Sequence, residues 1–317
     1  MKEELETETV QEAGTRRTSD VRFSLHLLRS NPLVVIGIVI SVGTLVLSAV
    51  SGLLVNPGSW QHYAPQLGLC WNNPVVNWGF KNIFNCGGSV YPLGTDLKGR
   101  DLLSMIILAI PTDVEIALEV VASAVVIGVV FGAIAGYAGG LLDELILRLT
   151  DVFLSIPVIL LALVLVVVLE ARGLPVSLSL LTIALVVTWW PVYVRLVRSQ
   201  VLSEKERPYV ESLRAMGASR TRILFLHVIP NSIYPLLVQA TLDIGSVILT
   251  VSALIFIGLT PNPYYPELGN LVNMGIQHLA IAPWLVIFPG LTIFIISLGF
   301  NLLGDGIRDV FDPRLRR

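Results

Sequence analysis

Six long apolar runs alternate with polar stretches along the chain, near 33–55, 115–138, 149–170, 177–201, 234–259 and 282–303. Each holds about twenty residues or more, which at about 1.5 Å per residue crosses roughly 30 Å of hydrocarbon as one helix. The pattern predicts an all-α, polytopic membrane protein with six spanning helices. The second and third runs have the least distinct ends. Ala135 to Gly140 interrupts them with small residues, and Leu141 to Asp151 reads as amphipathic rather than spanning. The chain then divides into a polar tail (1–31), a first helix (32–56), and an outer loop with an interfacial helix (57–112). A core of five helices (113–304) carries a polar loop at 203–231, and a short tail (305–317) follows.

Composition agrees: 54 % hydrophobic and 14 % charged residues exclude an ordinary soluble domain. The net charge of −2 says little about partners. Met1 to about Asp20 is too polar to build a core and is expected to be disordered. Val21 to Asn31 can form a short amphipathic helix, with Phe23, Leu25, Leu27 and Leu28 toward lipid and Arg22 and Arg29 toward headgroups. The apolar run after this tail is too long for a cleaved signal peptide. Basic residues set the orientation. With the N-terminus inside, seventeen of the 21 Lys and Arg residues fall on the inner side; only Lys81, Lys98, Arg100 and Arg172 fall outside. The positive-inside rule therefore places both termini and the loop around Glu211 in the cytoplasm.

That loop, Arg207 to Pro230, is the longest polar interruption in the C-terminal half. Apolar residues recur at helical spacing on both sides of Gly217, which suits a left-handed helix stop, and Ser219 can cap the next helix. Helix, glycine break and short helix are expected, with Arg214, Arg220 and Arg222 keeping the elbow in water. Such an elbow is either a docking surface for a soluble partner or a solvated basic loop.

Outside the membrane, Asn56 to Arg100 carries Trp60, Trp71, Trp78 and both cysteines. Cys70 and Cys86 are expected to form a disulfide worth roughly 3 kcal/mol, the alternative being two separate buried thiols. No further Cys or His lies between them at ligand spacing, so no metal site is expected. Gly94 and Gly99 bracket a tight turn. Thr95 or Asp96 can cap a helix starting near position 97, and Asp96, Arg100 and Asp101 can pair at the water boundary. An interfacial helix over 101–110 is expected before the second span. Glu115 and Glu119 then lie four apart on one helix face. They are either solvated among headgroups or line the outer opening of a transport path, since acids against lipid are costly. Gly128, Gly132 and Gly136 form a smooth ridge suited to close helix packing. Gly304 and Gly306 are expected to end the last span, ahead of a charged cap of Asp305, Arg308, Asp309 and Asp312.

Several of these stretches resemble one family. Glu211, Gly217 and His227-Val228-Ile229-Pro230 look like the EAA loop of ABC-importer permeases, with Ser212 and Leu213 at the two alanine positions. Pro230-Asn231 is similar to its dipeptide/oligopeptide branch. Pro92 to Asp101, the Ala135–Asp151 stretch, and Phe300 to Arg314 resemble further motifs of the same branch. The resemblance implies a type I importer permease fold. Glu211, Ser212, Ala215, Gly217, Ala218, Ser219, Arg220, His227 and Pro230 would form the coupling helix gripped by an ATPase. It also implies a heterodimer with a second permease, two cytoplasmic ATPases that bind ATP and Mg, and an extracellular solute-binding protein. Membrane lipid would surround the assembly, with no nucleic acid involved. Independently, the chain has no Gly-x-x-x-x-Gly-Lys-Ser/Thr and no nucleophile–base constellation, so it is read as non-catalytic. Peptides are the family's commonest cargo; oligosaccharides and nickel are alternatives. A secondary transporter is the reading from another class, with Asp243 the one acid at a suitable depth.

Overall fold

The structure, a computed structural model, describes residues 31–55, 91–96, 98–260 and 266–311. The expectations for the N-terminal tail, the Cys70–Cys86 bridge, the three tryptophans near it and Asp312 lie outside the described residues.

Ten helices are formed by the described residues. They are α1 (Pro32–Leu54), α2 (Leu102–Ala138), α3 (Gly140–Leu154), α4 (Val158–Ala171), α5 (Leu178–Lys205), α6 (Pro208–Ala215), α7 (Arg220–Ile223), α8 (Tyr234–Phe256), α9 (Leu268–Ile276) and α10 (Trp284–Phe311). Between α7 and α8 the chain makes a π-helical turn, Leu224–Val228, then one further turn, Ile229–Asn231. Five helices (α1, α2, α5, α8 and α10) are long and apolar enough to cross a membrane, and α3 with α4 makes a sixth crossing only as a bent pair.

The bend corrects the expected third span. Its run is not one helix: α3 and α4 meet at 88° across Ser155–Pro157. Pro157 removes a backbone donor and forces the residue before it out of helical geometry. Residues 141–151 do form the expected amphipathic helix. The helix expected over 101–110 is also not separate, but forms the first turns of α2. Pro111 sits inside that helix, because Ile106, Ala109 and Ile110 before it and Asp113, Val114 and Ala117 after it continue one buried face. Shared burial outweighs the one lost hydrogen bond. Nor do Gly304 and Gly306 end the last span, since α10 runs on to Phe311. A Cβ at Gly304 would lie 2.6 Å from Leu242 Cδ2, and one at Gly306 would lie 2.3 Å from Val34 Cγ1. These glycines let α8 and α1 approach α10 closely. The outer loop expected over 260–278 contains α9, where Glu267 caps the helix by accepting from Gly269 N (3.0 Å) and Asn270 N (2.8 Å).

The most extensive packing joins α2 to α5. A Cβ at Gly128 would stand 2.2 Å from Tyr193 Cβ, at Gly132 2.7 Å from the Val194 carbonyl oxygen, and at Gly136 2.9 Å from that of Arg198. The predicted glycine ridge is thus a backbone-to-backbone seam a little over two turns long. In lipid no hydrophobic drive separates helix from solvent, so such close dispersion contacts carry the association. A second packet groups α8, α9 and α1 around α10.

Candidate functional site

The polar elbow closes one end of the bundle. After α5, Glu206 and Arg207 lead into α6, which opens with Pro208 at its first position, where a missing N–H costs nothing. α6 ends in the glycine stop that the sequence predicts. Gly217 has φ +83°; its N–H donates to the Arg214 carbonyl (3.0 Å), and that of Ala218 donates to Leu213 (3.1 Å). These two bonds form a Schellman cap, which satisfies the last carbonyls of the helix. Ser219 then caps α7 by accepting from Arg222 N at 3.4 Å.

The elbow is anchored from below. Val210, Ile223 and Val228 are fully buried and pack with Ala133, Val197, Val201 and Leu236 in a small apolar cluster. Glu204, buried at the end of α5, accepts from Tyr209 Oη (3.1 Å) and pairs with Arg207 (2.8 Å). Asn231 Nδ2 in turn donates to Tyr209 Oη at 3.3 Å. α5, α6 and the turn before α8 are thus tied at one polar node. Above it Glu211, Ser212, Ala215, Gly217, Ser219, Arg220 and Pro230 are exposed, while Ala218 and His227 are half-buried. Sequence reasoning passed over Met216, whose side chain is 74 % exposed at the tip beside Arg214. An apolar residue held in water on a capped helix is the signal that could have found it. The π turn was also missed. Pro230 lacks the N–H that would continue an α-helical ladder, and the Ile229 N–H bonds five residues back to Leu224 instead.

At the other end, the Gly94–Asp101 motif is a buried staple. Gly94 and Gly99 have φ of +79° and +74°. The helix cap is Asp101, accepting from Ser104 N (3.0 Å), rather than Thr95 or Asp96. Asp96 instead holds the turn, accepting from the backbone N–H groups of Lys98 (2.9 Å) and Arg100 (2.8 Å) and from Arg100 Nε (2.6 Å). The Asp96–Arg100 pair is buried and not at a water boundary. Trp284 Nε1, from the start of α10, donates to the Thr95 carbonyl at 3.1 Å and fastens the turn to the bundle.

Glu115 and Glu119 lie on the exposed stripe of α2. The acid that the structure buries in this region is Asp113, whose Oδ2 accepts from the backbone N–H of Leu268 (3.3 Å) beside Glu267. Burial raises the Glu267 carboxyl above its ordinary range. Asp243 is buried in α8 and accepts from Gln239 Nε2 at 3.0 Å. Asp305, Arg308 and Asp309 are exposed on α10, and none of them forms an ion pair among the described residues.

Residues 128–317 match the family described as "Binding-protein-dependent transport system inner membrane component". The chain is 35 % identical over 295 residues to the dipeptide transport system permease protein DppC of Alkalihalophilus pseudofirmus, covering 93 % of this chain and 90 % of that one. To DppC of Haemophilus influenzae it is 42 % identical over 231 residues, covering 73 % and 77 % of the two chains. To the glutathione transport system permease protein GsiD of Pectobacterium atrosepticum it is 37 % identical over 228 residues, covering 72 % and 74 %. The matched region contains the glycine seam, the capped elbow and the last helix, and a multi-pass membrane protein built this way belongs to the family of binding-protein-dependent transport inner membrane components.

Proposed function

We propose that this chain is one permease of an ATP-driven importer for short peptides, with the elbow as the surface gripped by an ATPase. The observation that carries the reading is the elbow itself: a polar, capped, exposed helix rooted in an apolar cluster and joined within two residues to α5. A surface that only kept the chain soluble would not need burial of Val210 or the Glu204–Tyr209–Asn231 node beneath it. ATP and Mg then belong to two cytoplasmic ATPase subunits, and a second permease completes the path. An extracellular binding protein delivers cargo, and both termini face the cytoplasm. The relatives named above carry dipeptides and glutathione, and that shared chemistry favours peptides for this chain. Glu115 and Glu119 line the outer part of the path in this reading.

The test is peptide-stimulated ATP hydrolysis in the assembled complex. Gly217→Pro cannot adopt the observed φ, and Glu211→Arg reverses a charge on the exposed face. Both are expected to assemble and to lose roughly 5–150-fold of the stimulation, the range of ordinary coupling free energies. Full stimulation with normal assembly would remove the elbow from the mechanism.

A further inference from the structure

The α3–α4 hairpin buries few side chains completely, although Val158, Leu163, Leu165 and Leu169 of α4 pack partly buried against the main core. In α4 only Ala162 and Val166 are buried, and in α3 only Thr150. The hairpin leaves α2 through two glycines with positive φ, Gly139 and Gly140, a sharp turn that only glycine adopts without strain. α3 is held to α5 by one edge-on aromatic contact, Phe153 against Trp190 with ring centroids 5.4 Å apart, and otherwise by charge. Arg198 of α5 grips Asp143 through both nitrogens of one face, Nε to Oδ1 (2.5 Å) and Nη2 to Oδ2 (2.7 Å). The Asp143 and Arg198 side chains are only 16 % and 25 % exposed. About two turns further along α5, Lys205 Nζ donates to the Gly136 carbonyl at 2.8 Å, at the C-terminal end of α2 where a cation is favoured. Arg198 itself sits on the glycine seam, its carbonyl facing Gly136. A second pair, Arg195 with Asp151, joins the same two helices, but its side chains are 48 % and 61 % exposed.

We propose that Asp143 and Arg198 are a clamp that makes the α3 arm of the hairpin follow α5, adding a stiff polar link to the looser apolar contacts so that a displacement applied at the elbow is passed on to α3. The inference rests on the proposed importer function. α5 is the element that continues into the elbow, with Glu204 and Arg207 fixing the joint. α2 and α5 move together because their backbones touch. α3 does not touch α5 in that way, so a bidentate charged bond is the link with directional stiffness. Asp143 and Arg198 are positioning residues and bind neither cargo nor ATPase. The Arg195–Asp151 pair is an internal control, since water screens exposed pairs and they contribute little.

The experiment uses the complete complex in proteoliposomes, measuring peptide taken up per ATP hydrolysed. Asp143→Asn, which keeps side-chain size, and Arg198→Gln, which is shorter and uncharged, are expected to assemble and to lower that ratio at least roughly fivefold. The exchanged pair, Asp143→Arg with Arg198→Asp, is expected to recover at least half of it. Asp151→Asn is expected to stay within about twofold of the parent. A loss of stoichiometry with assembly intact is a readout that a purely structural contact would not move. Unchanged stoichiometry in both single variants overturns the clamp. So does failure of the exchanged pair to improve on them, and so does loss of assembly in both, which would make the pair a folding contact. If the unsubstituted complex shows no peptide-stimulated hydrolysis, the importer reading fails and the clamp fails with it; if only the variants behave like the parent, the clamp alone fails.

Discussion

α1 and α5 are both membrane-crossing helices, yet they use apolar residues in opposite ways. α1 is the more apolar of the two. Of the most apolar 18 residues in each, 22 % are buried in α1 and 61 % in α5. In water the order would be reversed, because burial there is driven by apolar area. In lipid the tails are as apolar as leucine, so exposure costs nothing and hydropathy reports contact with lipid instead of core. What marks α5 as an inner helix is what it carries besides aliphatics: Thr188, Trp189, Trp190 and Tyr193 are all buried, and a partner helix sets glycine at every fourth position against Tyr193, Val194, Val197, Arg198 and Val201. Close backbone approach decides which helix lies inside.

The largest effect should follow from filling the seam. Gly128→Leu places a branched side chain where even a Cβ would lie 2.2 Å from Tyr193 Cβ and 2.9 Å from its carbonyl carbon. Neither a strand of backbone nor the first side-chain carbon can rotate away. We expect a loss at or above the upper end of the roughly 1–3 kcal/mol seen for overpacking, read as a large drop in folded, monodisperse protein after detergent extraction. Normal yield and unfolding temperature would mean that α2 and α5 are held apart from the geometry described here.

A second, smaller effect separates two kinds of exposure. The outer face of α1 is uniformly apolar, with Val39, Val42 and Val46 exposed, whereas the outer stripe of α2 includes Glu115 and Glu119. Acids against hydrocarbon near the midplane would cost on the order of 2.5 kcal/mol each, so this stripe is expected to face water. Replacing both by Gln should lower uptake of cationic peptides by a few-fold, leave neutral ones nearly unchanged, and favour anionic ones, with the contrast shrinking at high salt. Equal transport of all three classes, with no labelling of Cys placed at 115 or 119 by an impermeant thiol reagent, would return the pair to the headgroup region.

Much of this was legible in the sequence, for identifiable reasons. Apolar length gives the spans, and a four-residue glycine period gives the α2 seam, because both are local properties of one helix. Gly217 and Ser219 give the elbow because caps are chemically specific. The failures involve contacts between distant segments. Nothing local says that Pro111 will be carried through a helix whose two flanks share one buried face. Nothing near Gly304 or Gly306 distinguishes a helix stop from a notch for Leu242 or Val34. Asp143 and Arg198 stand 55 residues apart, and their pairing depends on the bend at Pro157 and the turn at Gly139, neither of which fixes a direction by itself. Near the start of α2 the sequence draws attention to Glu115 and Glu119 through their spacing. The buried acid there is Asp113, whose partner lies on a helix 155 residues away.

The smallest effect is the most direct test of the lipid argument, and it lies within one helix. Gly37 and Gly43 both belong to α1, six residues apart, so they point to different sides. A Cβ at Gly37 would meet Leu302 Cβ and the Leu303 backbone nitrogen at 2.7 Å; at Gly43 nothing lies within 4 Å. Gly37→Leu should therefore cost roughly 1–3 kcal/mol through overpacking against α10. Gly43→Leu exposes the same added carbon to hydrocarbon, where leucine is favoured by a few tenths of a kcal/mol, and it replaces the poorest ordinary helix former with a good one. The expected change in unfolding temperature of the purified, detergent-solubilised chain is near zero or slightly upward for Gly43→Leu, and clearly downward for Gly37→Leu. The comparison also has a second stage in the assembled complex. If Gly43→Leu stays neutral there, the outer face of α1 is a lipid face. If it becomes as costly as Gly37→Leu only on assembly, that face is covered by another subunit, and the low burial of α1 belongs to the isolated chain rather than to its working state.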